Sequence, residues 1–157
     1  MRRAAILVGV VLLGGAAYSQ LMATSLDPSA VQNIVDARSA HYKEIGRSAK
    51  AIRNELGEAR PDLSNVQASA ARIEALAKQI PSWFPSGTGP QPGVKTEALP
   101  VIWQQMPLFT QRASGLAGAA HQIASAAAAG KMAETRIAAG SLGNACKSCH
   151  DVFREKK

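Results

Sequence analysis

The sequence predicts an all-α protein built as an antiparallel four-helix bundle, on three observations. Alanine is abundant, aromatic residues make up only 4% of the chain, and β-branched runs are missing outside the amino terminus, a balance that favours helix over sheet. Four segments repeat apolar residues at three- and four-residue steps, the helical period. One long proline- and glycine-rich connection separates the second segment from the third, the connectivity of a bundle with a single crossover loop. At 157 residues the chain has length for one core and a leader.

The leader comes first. Arg2 and Arg3 precede an apolar run from Ala4 to Ala17, about the length of a signal h-region and short of the roughly 20 residues that cross a bilayer. Residues 1–19 therefore read as a signal peptide. Small residues at Ala17 and Ser19 favour cleavage before Gln20, while mildly apolar Leu21, Met22 and Ala23 keep retention as an uncleaved amino-terminal anchor open. Residues 20–157 form the folded domain.

Asp27 followed by Pro28 reads as an N-cap with proline at the first helical position, opening a helix that runs to about Leu56 and stops at Gly57. Its stripe is Val31, Ile34, Val35, Tyr42, Ile45, Ala49, Ile52 and Leu56. Pro61-Asp62 starts a second helix carrying Val66, Ala70, Ile73, Leu76, Ala77 and Ile80 until Pro81 closes it. So short a turn between the two places them antiparallel. From Pro81 to about Lys95 four prolines and three glycines exclude regular structure. Thr96 is the expected cap of a third helix, striped by Ile102, Met106, Phe109, Ala113, Leu116, Ala120, Ile123 and Ala127 and ending near Gly130. Pro107 should kink or break it between Trp103 and Leu108. The last helix, Lys131 to about Glu155, is expected to turn Ile137, Leu142, Cys146, Cys149 and Phe153 inward.

Cys146-Lys147-Ser148-Cys149-His150 carries the chemistry. Two thiols three residues apart can add to the two vinyl groups of one porphyrin, and the adjacent imidazole can reach its iron, which is the attachment pattern of a c-type haem. A zinc site would need a second ligand pair, and only His41 and His121 remain, without paired spacing. A thioredoxin-like redox pair would follow a strand, and a plain disulfide leaves His150 unexplained. The expected cofactor is one covalent haem c on the last helix, with its iron on His150. Thioether attachment in bacteria takes place outside the cytoplasm, so motif and leader both place the folded part in the periplasm, at the inner membrane only if the leader stays. The formal charge of +7 falls to about +5 without Arg2 and Arg3 of the leader, and the rest is spread over Lys and Arg throughout the helices with no nucleic-acid footprint. The clustered Arg154, Lys156 and Lys157 favour the negative end of the last helix dipole, or the docking of an acidic redox partner.

Taken with Asp36-Ala37-Arg38, Trp83-Phe84-Pro85, Gly87-Thr88, Ile102-Trp103 and the run from Cys146 through Arg154, the motif's place in the last helix makes the chain resemble a class II cytochrome c of the cytochrome c′ type. Class I cytochromes carry the motif near the mature amino terminus and draw a methionine from downstream, whereas here only seven residues follow His150 and none is methionine. The resemblance implies that Arg38 lies beside the haem propionates, that Tyr42 faces the distal side of the iron, and that Arg154 approaches the proximal face. Arg38 and Tyr42, four apart, share a helix face, and an arginine on a buried stripe calls for an anionic partner. Low-spin relatives carry a ligating methionine where Tyr42 stands, so the resemblance implies a five-coordinate, high-spin iron. His41 points away from Tyr42 and reads as exposed, as does His121; Met106 and Met132 read as core filler.

An iron with an open distal position binds small gases, nitric oxide and carbon monoxide being those the resemblance implies. Single-electron transfer with redox partner proteins is the companion reading, and a low-spin, six-coordinate electron carrier is the alternative. A homodimer through the first two helices is compatible with the resemblance. Peroxidase chemistry would need an acid and base over the open site, which Tyr42 alone does not supply, so no catalysis is expected.

Overall fold

The computed structural model describes residues 26–156. The leader over 1–19, its cleavage before Gln20, and Lys157 lie outside the described residues. Helix α1 spans Pro28–Gly57, and the Asp27 carboxylate caps it by accepting from the Ser29 N–H at 2.8 Å. Val31, Val35, Ile45, Ile52 and Leu56 are buried along its stripe. Tyr42 and Ala49, on the same stripe, are only half-buried because they border a cavity.

Helix α2, Leu63–Ala77, is capped by Asp62, whose carboxylate accepts from the Ser64 and Asn65 N–H groups at 2.9 and 3.3 Å. The Ser64 hydroxyl, donating to the same carboxylate at 2.6 Å, is the strongest influence holding the Asp62 carboxyl below its ordinary range, and the two N–H groups add to it. A group whose proton affinity falls on folding stabilises the fold above its unfolded pKa and loses that effect as acid protonates it. Asp62→Ala should therefore lower the melting temperature at about pH 7 and do so much less at about pH 2.5, and an equal effect at both would refute the charged cap. The helix stops at Ala77 rather than Ile80. Ile80–Trp83 form a single 3-10 turn instead, since Pro81 has no N–H to continue the ladder.

Thr96 does not cap a helix. Its hydroxyl accepts from Arg38 Nη2 at 2.8 Å and from the Ala98 N–H at 3.1 Å, and the next residues run extended. Helix α3 begins only at Val101 and is a single turn, Val101–Gln104. Gln105 leaves the helical region at φ −125° and ψ 42°, and α4 resumes over Met106–Ala128 with Pro107 in its first turn. That is the interruption Pro107 predicts. Gly130, left-handed at φ 70°, turns the chain into α5, Met132–Phe153.

Ile137 is 73% exposed, not inward as expected. At 100° per residue it lies on the far side of α5 from Leu142, and the buried positions are Thr135, Ala138, Leu142 and Phe153. The side chain of Thr135 reaches full burial because its hydroxyl donates to the Lys131 carbonyl at 2.9 Å.

The four long helices, α1, α2, α4 and α5, pack unevenly as a bundle. Helix α2 packs between α1 and α4, and α4 between α2 and α5, whereas α1 and α5 scarcely touch. A shared core closes the packed sides: Phe109 meets Phe84 edge-on at 4.8 Å and Phe153 at 5.2 Å. The fourth side of the bundle is left apart.

Candidate cofactor site between α1 and α5

Where α1 and α5 diverge, the bundle leaves a cavity of about 1010 Å³, open to solvent on one side and bordered by both cysteines, His150, Arg38, Tyr42 and Arg154. All six candidate residues thus come to one space. Cys146 and Cys149 are free thiols one turn apart on α5, half-buried, and burial pushes both above the ordinary thiol range. His150 opens onto the cavity; partial burial, and next the neighbouring Arg154 cation, lower its proton affinity. A neutral imidazole is the form that ligates a metal.

Arg38, only 4% exposed, is held from the loop rather than by a carboxylate. Its Nη1 donates to the Thr88 carbonyl at 3.1 Å and its Nη2 to the Thr96 hydroxyl, while the guanidinium lies 4.5 Å over the Phe84 ring. Burial lowers its proton affinity, yet a guanidinium remains charged. Gly87, at φ 79°, supplies the left-handed residue that turns Thr88 toward Arg38. Both bonds are to neutral acceptors, so the buried positive charge has no carboxylate partner among the described residues.

Tyr42 sits four residues on, its ring edge-on to Trp83 at 5.5 Å and to Phe84 at 6.4 Å. Burial is the chief reason its phenol holds its proton far more tightly than usual. His41 is half-buried rather than exposed, because its ring stacks on Trp83 at 4.6 Å; it does not border the cavity. His121 is exposed, 3.2 Å from Glu74 on the outer side of the bundle. Met106 and Met132 pack against the core away from the cavity.

Arg154 ends α5 in extended conformation, φ −119° and ψ 139°, so it leaves the helical face that His150 occupies. Its Nε and Nη2 both donate to Glu97 Oε2, at 2.8 and 2.7 Å. Around this ion pair the loop and the end of α5 run together: Leu99 N–H donates to the Phe153 carbonyl at 3.0 Å and Glu155 N–H to the Glu97 carbonyl at 2.8 Å.

Sequence reasoning missed Glu97 and Arg112. Nothing local marks Glu97, whose role comes from pairing across the fold. Arg112 was visible in principle, since it stands three residues after Phe109 and four before Leu116, a cation beside an apolar stripe. It borders the cavity, and its Nε is buried without a hydrogen-bond partner among the described residues.

A family model described as cytochrome C′ matches residues 33–154. The chain belongs to the cytochrome c′ family. It is 37% identical over 157 residues to the cytochrome c′ of Rhodopseudomonas palustris, spanning 99% of this chain and 97% of that one. Among solved structures, it is similar to a cytochrome c′ described as having an unusual ligand-controlled dimer dissociation, with a TM-score of 0.73 and 31% identity, covering 83% of this chain and 98% of that one. A nitric oxide complex of a substituted cytochrome c prime from Alcaligenes xylosoxidans superposes with a TM-score of 0.64 at 25% identity, covering 83% and 98%.

Cytochromes c′ bind haem c, and the residues here fit that group. Two thiols and an imidazole border one space, apolar walls from Phe84, Phe109 and Phe153 flank it, and two cations, Arg38 with no carboxylate partner among the described residues and Arg112 with an orphaned Nε, would suit the anionic propionates of such a group. Among the described residues no three His, Cys, Asp or Glu side chains gather as a metal site made of protein ligands alone.

Proposed function

We propose that the chain carries one haem c joined through Cys146 and Cys149, that His150 is the axial ligand, and that the distal position stays open for nitric oxide or carbon monoxide. The observation that carries this is the single cavity bordered by both thiols, the imidazole and Tyr42. A haem iron held by one imidazole offers its other axial position to small gases and exchanges single electrons.

The chain's own residues set the terms. Arg38, fixed by Thr88 and Thr96, presents its remaining N–H donors to an anion. Tyr42, wedged against Trp83 and Phe84, forms a bulky wall that discriminates by size. Among the described residues bordering the cavity, none is methionine and His150 is the one histidine, while the tightly held phenol proton of Tyr42 disfavours a phenolate ligand. These points support an open distal position over the six-coordinate alternative.

Electron transfer accompanies this reading, in the periplasm to which the leader directs the domain. The nitric oxide complex of the Alcaligenes xylosoxidans relative supports gas binding, and the relative with a ligand-controlled dimer supports self-association. The purified protein should give a high-spin ferrous absorption band that shifts when nitric oxide or carbon monoxide is added. A low-spin ferrous spectrum indifferent to carbon monoxide would sink the open-site reading.

A further inference from the structure

Aromatic rings are scarce in this chain, yet those present touch one another in a line. Phe153, Phe109, Phe84 and Tyr42 border the cavity. Behind them stand both tryptophans, neither of which borders it: Tyr42 meets Trp83 edge-on at 5.5 Å, and Phe84 lies tilted on Trp103 at 5.9 Å. Each indole is thus one ring removed from the cofactor space. Indole and phenol are the aromatic side chains that lose an electron readily, and a phenyl ring does not.

The surroundings of the two indoles differ. Trp103 Nε1 donates to the Phe84 and Pro85 carbonyls at 3.2 and 3.0 Å, and the Arg38 guanidinium lies 5.9 Å from its ring and 4.5 Å from that of Phe84. A positive charge on Trp103 would face a buried cation, and its proton would have no base to go to, since a backbone carbonyl accepts a hydrogen bond without keeping the proton. Among the described residues no lysine or arginine lies over the Trp83 ring. Although Trp83 is only 8% exposed, its Nε1 has no hydrogen-bond partner among the described residues and is not closed off from solvent. The half-buried His41 ring stacks on it at 4.6 Å, at the edge of the bundle. Tyr42 is a poor resting place for the charge, because its phenol has no acceptor among the described residues and burial holds its proton on.

We propose that Trp83 is where this chain discharges an oxidising equivalent arising in the cavity, with Tyr42 as the ring that bridges to it. The oxidant is hydrogen peroxide, and the proposal rests on the haem reading above. With no acid and base over the open site, peroxide is reduced there slowly and without a substrate, so the electrons come from the protein. Peroxide takes up two electrons and two protons, its O–O bond breaks, and two waters leave. Trp83 gives the two electrons, one at a time across Tyr42. A C–O bond to a solvent water forms on the indole, and two protons are released there. In sum, Trp83 and one peroxide become a singly oxygenated Trp83 and one water. Each chain can do this once, so the reaction protects the haem and is not a turnover.

Peptide mapping by mass spectrometry tests this on the oxidised holoprotein after treatment with hydrogen peroxide. One added oxygen should be found on Trp83 about tenfold or more over Trp103, because unit charges 5.9 Å apart near a protein surface repel by more than a tenfold rate ratio requires. Met106 and Met132, which peroxide oxidises directly, report exposure to the reagent. In Trp83→Phe, which keeps a ring between His41 and Tyr42, the haem absorbance should bleach at least about twofold faster, with methionine sulfoxide within about twofold of the parent. Equal labelling of both tryptophans, or of neither, overturns the relay and leaves the haem reading standing, as does bleaching at the parental rate in the variant. A purified chain whose mass and spectrum lack covalent haem overturns both.

Discussion

A chain carrying Cys146→Ala and Cys149→Ala together is expected to give up its haem to acidified organic solvent and, once stripped, to lose its fixed tertiary structure while keeping most of its helix. The reason is the cavity. Without the cofactor, the apolar walls of this space of about 1010 Å³, Phe84, Phe109 and Phe153 among them, would face water, and a domain held together by only about 5–15 kcal/mol has little margin for that exposure. Either α1 and α5 close on each other or water fills the gap, and with so little contact between those helices neither arrangement restores a unique packing. The stripped variant should retain far-ultraviolet dichroism, lose near-ultraviolet dichroism, bind a hydrophobic dye and melt at least about 10 °C lower than the parent. Retained near-ultraviolet signal with unchanged melting would refute the idea that the cofactor completes the fold.

Tyr42→Ala is expected to raise carbon monoxide affinity about tenfold or more, equivalent to about 1.4 kcal/mol. Its ring, wedged edge-on against Trp83 and Phe84, narrows the side of the cavity across from α5, and truncation removes that bulk without touching Cys146, Cys149 or His150. Loss of a half-buried aromatic should also cost about 2 kcal/mol of stability, below the 3–5 kcal/mol of a fully buried one. Tyr42→Phe separates shape from hydroxyl and should keep parental affinity within about twofold. Laser-flash rebinding and equilibrium titration read both variants. An Ala variant with parental gas affinity would place Tyr42 away from the iron.

Much of the fold was legible because its punctuation is local. Asp27-Pro28, Asp62, Pro107 and Gly130 act through their own backbone geometry and hydrogen bonds to near neighbours, so helix ends and the mid-helix break follow from their positions alone. Failures came where hydrophobicity stood in for geometry or where the deciding partner is distant. Ile137 is apolar but sits on the wrong side of α5, while small Ala138 and hydroxyl-bearing Thr135 take the interior. Thr96 has the chemistry of a cap, yet Arg38, 58 positions away, claims its oxygen. Arg38 and Arg112 offer the same sign, a cation set among apolar residues, and only the first was read from the sequence. The pairing of Glu97 with Arg154 left no sign at all, since nothing near either residue specifies the other.

The backbone stitch between Glu97–Leu99 and Phe153–Glu155 has a kinetic consequence. Closure entropy grows with the length of chain enclosed, so contacts between segments this far apart form late, after the local hairpin of α4 and α5 has brought the second segment home. Thr96 to Ala98, one wall of the cavity, is then set no earlier than α5 itself. During folding the slot between α1 and α5 is broad before it is narrow, with both thiols already in place on α5 while the gate beside them still stands ajar.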